Sequence, residues 1–179
     1  HSAEQLQSVT AELLTGYFRQ RDPEWIGSFA TQSLLFEVSA TPKPGLVDRD
    51  NPGAHRDMDF YSFLSSASAL QPFFARCARI GMDTRALTPE ETFARLRLPG
   101  RLAEQTMLRA TSGANTHKGA IFSLGLVCGA VGRLIFQHPG PEEILGHCAQ
   151  MARGLTDREL SGLTADTART AGEQLYSRF

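Results

Sequence analysis

Lysine is nearly missing from this chain: of eighteen basic residues in 179, only Lys43 and Lys118 are lysine, and sixteen are arginine. Cysteine is equally sparse, with three residues (Cys77, Cys128, Cys148) whose spacings form no CxxC pair. That pattern excludes a disulfide frame and a zinc knuckle, and it implies buried thiols in a reducing compartment. An excess of one charge is also lacking. The formal net charge is −1, which removes the electrostatic basis for non-specific nucleic-acid binding. A membrane span wants about 20 strongly apolar residues, and the longest candidate, 120–136, is interrupted by Ser123, Arg133 and glycines. It reads as a buried core helix, so no membrane partner is expected. Residues 1–20 lack the basic start and apolar run of a secretory signal, and a cytoplasmic location is the expectation. What the chain does have is apolar content: 41% hydrophobic residues exclude disorder and supply a core.

Strand-like alternation is absent, whereas helical spacing recurs. Apolar positions fall at helical intervals over 4–20 and 24–40, the second helix starting near Pro23 and stopped by Pro42 and Pro44. Phe60 to Gly81 follows, with Gly81 as a C-terminal stop. Thr88-Pro89-Glu90-Glu91 is a helix start, with a capping hydroxyl, a first-turn proline and acids at the positive end of the dipole. Pro99-Gly100 is expected to break that helix, with another running from about 101 to 111. Helices over 117–137, 141–154 and 164–178 complete an all-α reading: a single multi-helix domain over 1–179, with two irregular joints at about 41–59 and 111–119.

Both lysines lie in those joints. The first reads TPKPGLVDRDNPGAHRDMD and holds Lys43, Asp48, Arg49, Asp50, His55, Arg56, Asp57 and Asp59. Four carboxylates within twelve positions repel one another unless cations sit among them. Such oxygen-rich clusters suit Mg²⁺, which keeps several waters and takes one or two carboxylates plus substrate phosphates. The alternative for Asp57 and Asp59 is a first-turn role at the helix that follows. The second joint, Thr111 to Gly119, reads TSGANTHKG and opens the apolar helix. A helix amino end offers unpaired N–H groups and partial positive charge to an anion. Gly113 and Gly119 permit close approach, and Lys118 is poorly placed for the dipole unless an anion is near. The plainer alternative is a cap built from Asn115 or Thr116, with His117 and Lys118 in water. Glu37 and Glu104 are weaker candidates. The glycine patterns of Walker and Rossmann loops are absent, as are Gly-x-Ser-x-Gly and HExxH. What is left is a Mg²⁺–phosphate ester site for a nucleotide.

The two joints, SFLSSASAL after the first, GAIFSLGL after the second, and ARGLTDREL at 152–160 are long, unusual strings. They resemble the signature stretches of the triphosphoribosyl-dephospho-coenzyme A synthase family, in register from about Ile26 to Phe179. The resemblance implies an all-helical enzyme with ATP and 3′-dephospho-CoA as substrates. Such an enzyme moves the triphosphoribosyl group of ATP to the ribose 2′-hydroxyl of 3′-dephospho-CoA and expels adenine. The product is the prosthetic-group precursor for the acyl carrier subunit of citrate lyase or malonate decarboxylase. On this reading Asp48, Asp57 and Asp59 hold Mg²⁺, while Lys43, Arg49, Asn115, Thr116, His117 and Lys118 meet the phosphates. His55 handles a proton, with Asp57 or Glu104 as its rival. Family members continue with an Arg-Gly-Glu-Ala stretch and an Asp-Thr-Asn stretch that do not occur here. The chain is therefore expected to be the N-terminal portion of a longer fold, completed by a further segment or by a homodimer partner. Two other readings stay open: a Mg²⁺-dependent nucleotide phosphohydrolase, and a non-catalytic nucleotide-binding fragment.

Overall fold

Proline or a capping side chain marks four of the five described helix starts. The computed structural model describes residues 22–155, and its helices are α1 (Pro23–Ser39), α2 (Phe60–Asp83), α3 (Pro89–Ala110), α4 (Lys118–Leu134) and α5 (Pro141–Met151). The Asp22 carboxylate accepts the Glu24 N–H at 3.0 Å, and Pro23 occupies the first turn, where no amide hydrogen is needed. Asp59 and Ser62 form a reciprocal capping pair at α2, as do Thr88 and Glu91 at α3. Among the described residues no strand occurs, in agreement with the all-α expectation. No described helix is long and apolar enough to cross a membrane. The helices read over 4–20 and 164–178 lie outside the described residues.

The break expected at Pro99-Gly100 does not occur, and α3 runs unbroken through it. Proline removes one N–H from the ladder, but Pro99 is buried and the helix is packed on both sides of it, through Leu96 and Ala103. Burial of those flanks outweighs one missing bond. Likewise Gly81 does not end α2, which continues to Asp83. A Cβ on Gly81 would lie 2.0 Å from the Gly129 carbonyl oxygen, and one on Gly132 2.0 Å from the Ala78 oxygen. Glycine is required there because α2 and α4 touch backbone to backbone.

Helix α2 is the central element, packed against α1, α3 and α4, while α5 covers α3 and α4. Leu70, Phe74 and Ala78 of α2 are fully buried, against Leu34 and Ala30 of α1, Met107 and Leu96 of α3, Ala130 of α4 and Met151 of α5. All three cysteines are free and buried, and burial pushes their thiols up, Cys128 to about 12. Arg133 ties the far end together. Its guanidinium donates to the Thr84 carbonyl, to Thr92 Oγ1 at 2.6 Å, to the Leu87 carbonyl at 2.8 Å and to His147 Nε2 at 2.9 Å. Arg133→Met is expected to destabilise the fold by about 3 kcal/mol, because it strands two part-buried carbonyls that accept from a charged donor. A urea midpoint within error of the parent would contradict that role.

Candidate functional site

Residues 40–59 connect α1 to α2 without regular structure, and a single carboxylate organises them. Asp48 is 2% exposed. Its Oδ1 accepts the N–H groups of Asp50 at 2.9 Å and Asn51 at 3.0 Å. Its Oδ2 accepts the Lys43 N–H at 2.9 Å and the Thr41 hydroxyl at 3.0 Å. These donors, the Lys43 N–H foremost, hold the carboxyl down at about 2. Asp59 is the α2 cap, lowered by the N–H and hydroxyl of Ser62. Asp57, Arg49 and His55 are exposed on the same loop.

The metal set expected from sequence, Asp48, Asp57 and Asp59, is therefore not assembled. Among the described residues no three His, Cys, Asp or Glu side chains gather to hold a metal ion. The physical reason is competition: local N–H and hydroxyl groups engage both oxygens of Asp48, and Ser62 engages Oδ1 of Asp59. Asp48 instead makes the loop acid-sensitive. Above the usual value of 3.8 the group is ionised whether the chain is folded or not, and its advantage is complete. As pH falls from there toward 2, the unfolded chain takes up the proton first and the advantage is lost. Hydrogen exchange at the Lys43, Asp50 and Asn51 amides should remain protected at pH 5 and lose protection near pH 2. Unchanged protection across that range would contradict the assignment.

The loop's lysine is tied to the end of α1. Lys43 Nζ meets Glu37 Oε1 at 2.7 Å, and the Lys43 side chain is only 15% exposed. Glu37, on the last turn of α1, is close enough to pull on the charge of His117 at the start of α4. His117 is buried, contrary to the plainer alternative that left it in water. Its N–H donates to Met107 Sδ at 3.1 Å, its ring stands edge-on to Phe63, and Nδ1 shares a 2.8 Å hydrogen bond with Ser66 Oγ. Burial pushes the imidazole down to about 4, against the smaller upward pull of Glu37, so it is neutral at pH 7.

Polar atoms of two consecutive residues at this corner, His117 Nε2 and Thr116 Oγ1, are buried without a hydrogen-bond partner. Buried polar atoms are nearly always paired, and here both lie at the amino end of a helix whose N-cap residue, His117, makes no side-chain capping bond. The Lys118 N–H is taken by Asn115 Oδ1 at 3.2 Å, but those of Gly119 and Ala120 have no intrahelical carbonyl. Nothing lies within 4 Å of where a Gly119 Cβ would be, so the approach to them is open.

Lys118 points elsewhere. Its Nζ lies 3.6 Å from Glu104 Oε2 on α3. The structure thus brings Lys43 to Glu37, and Lys118 to Glu104. No hydrogen bond or ion pair among the described residues joins Asp57 to Lys118. Sequence reasoning overlooked Ser66, although it falls on the apolar face of α2 between Phe63 and Leu70, where a hydroxyl needs a partner.

Comparison with known proteins spans both joints. The family model for ATP:dephospho-CoA triphosphoribosyl transferase matches residues 23–177. A protein of Albidiferax ferrireducens, named a probable 2-(5''-triphosphoribosyl)-3'-dephosphocoenzyme-A synthase, is 46% identical over 156 residues. That alignment covers 86% of this chain and 51% of the relative, so the chain spans about half the relative's length. No solved structure matches it. The match across nearly all described residues, together with this identity, shows that the chain belongs to the ATP:dephospho-CoA triphosphoribosyl transferase family.

Proposed function

We propose that this chain carries the triphosphate-holding part of an enzyme that transfers the triphosphoribosyl group of ATP to the 2′-hydroxyl of 3′-dephospho-CoA, releasing adenine. The product serves as prosthetic-group precursor for the acyl carrier protein of citrate lyase or malonate decarboxylase, and the work is done in the cytoplasm, where free thiols persist. One observation carries the reading: the partnerless Nε2 of His117 and Oγ1 of Thr116 beside the open N–H groups of α4. In the tautomer in which Ser66 donates to Nδ1, neutral His117 presents Nε2–H as a donor, and a donor set without a fixed positive charge of its own receives a phosphate oxygen there. Lys43, held in place by Glu37, supplies charge from the first joint. Asp48 acts on the backbone that positions Lys43, not on the substrate. His55, Asp57 and Arg49, exposed on the loop, remain proposed for the proton and for phosphate. A divalent cation would enter as the triphosphate's escort, which takes one or two carboxylates and not a cluster of three.

The test is incubation with ATP, Mg²⁺ and 3′-dephospho-CoA, with chromatography of the bases and nucleotides. Free adenine in step with a triphosphoribosylated acceptor is the expected product. AMP with pyrophosphate, or ADP with phosphate, would replace this reading with a phosphohydrolase. Since the chain spans half of its relative, a second reading is that it binds ATP without turnover on its own. Adenine release that starts only when the relative's remaining half is added in trans would establish that version.

A further inference from the structure

We propose that the cleft between α2, α3 and α4 seats the purine base of an adenine nucleotide whose polyphosphate lies over the amino end of α4. This rests on the phosphate reading above and adds the part of the ligand that reading leaves unplaced. The cleft has a volume of about 200 Å³, and Phe73, Phe93, Phe122, Arg101 and Glu104 are among its lining residues. Phe93 and Phe122 stand edge to face with centroids 6.2 Å apart. Aromatic rings beside a guanidinium suit a flat heteroaromatic ring, and a lining carboxylate accepts from an exocyclic amine. Adenine has that amine; hypoxanthine does not.

Position links the cleft to the phosphate corner. Glu104 pairs with Lys118, the first residue of α4, while Ile121 and Phe122, one turn further, line the cleft. A ligand with an apolar ring and an adjoining polyanion would span the two without crossing the core. Gly100 supplies the independent observation. It lies inside α3, where glycine weakens a helix, and it lines the cleft. No atom lies within 4 Å of where its Cβ would stand, and its φ is not positive, so neither packing nor backbone geometry requires glycine there. A side chain at this cleft-lining position would enter open space.

The experiment is calorimetric titration of the whole chain, parent and Gly100→Leu, with ATP, ITP, adenosine, 3′-dephospho-CoA and inorganic tripolyphosphate. The parent should bind ATP at least tenfold more tightly than ITP or tripolyphosphate. Gly100→Leu should bring ATP down to the tripolyphosphate level, leave tripolyphosphate unchanged and not lower the thermal midpoint. If 3′-dephospho-CoA loses affinity in the variant and ATP does not, the base seated is the acceptor's, and the assignment of the cleft to ATP is overturned. Equal parental affinity for ATP and tripolyphosphate, or parental ATP affinity in Gly100→Leu, overturns the purine site and leaves the phosphate reading intact. Adenosine binding abolished by Gly100→Leu, with no tripolyphosphate binding, supports the cleft and removes the phosphate corner. No binding of any ligand removes both. Gly100→Ala guards against a folding artefact, since alanine suits helices and its methyl meets nothing; a lowered midpoint there shows that the space is not open and overturns the proposal.

Discussion

His117→Leu should weaken binding of inorganic tripolyphosphate and of ATP by roughly 10- to 100-fold, because a hydrogen bond to a charged group contributes about 1.5–3 kcal/mol. Adenine release should fall at least as far. His117→Gln, which returns an N–H near the position of Nε2, should recover part of the affinity. A second readout separates this role from simple packing. An exposed imidazole titrates near 6.5 and this one near 4. Between those values the unfolded chain binds a proton that the folded chain refuses, so parental stability falls as pH drops from 6.5 to 4 and levels off below. The leucine variant loses that slope, as urea midpoints measured across the range would show. Retained tripolyphosphate affinity in His117→Leu would mean that the partnerless nitrogen serves no anion.

Gly132→Ala should cost about 3 kcal/mol, the upper part of the range for overpacked cores. The added methyl meets the Ala78 carbonyl oxygen at 2.0 Å, and backbone cannot swing aside as a side-chain tip can. Relief requires α2 and α4 to separate, and that seam also carries Ser66 to His117. The loss should therefore extend to the phosphate corner, with tripolyphosphate affinity falling alongside the urea midpoint. Gly119→Ala, in the same helix with nothing within 4 Å of its Cβ, is the control and should leave stability close to the parent. Equal midpoints for Gly132→Ala and the parent would contradict the backbone contact.

Much of this architecture was legible because caps and prolines are local signals. Thr88, Asp59 and the Pro42–Pro44 pair act on residues within one turn of themselves, and the elements they bound appear where periodicity placed them. Pro99-Gly100 misleads for the converse reason: its continuity depends on what buries Leu96 and Ala103, which lies on other helices. The aspartates of the first joint show a different limit. Composition cannot separate a carboxylate that organises its own backbone from one that waits for a cation, and for Asp48 and Asp59 nearby N–H groups decide. His117 was recognisable as a candidate by its place before an apolar helix. Its neutrality was not, since that follows from Phe63 and Ser66, both some 50 positions away.

The central claim is that the first lysine of the α1–α2 loop and the amino end of α4 serve one bound triphosphate. Amide chemical shifts of the chain during titration with ATP test it directly. The account predicts that Lys43, Ser66 and residues 116–120 move together along one binding curve. Shifts confined to one of the two joints, or separate curves for Lys43 and Gly119, would contradict it.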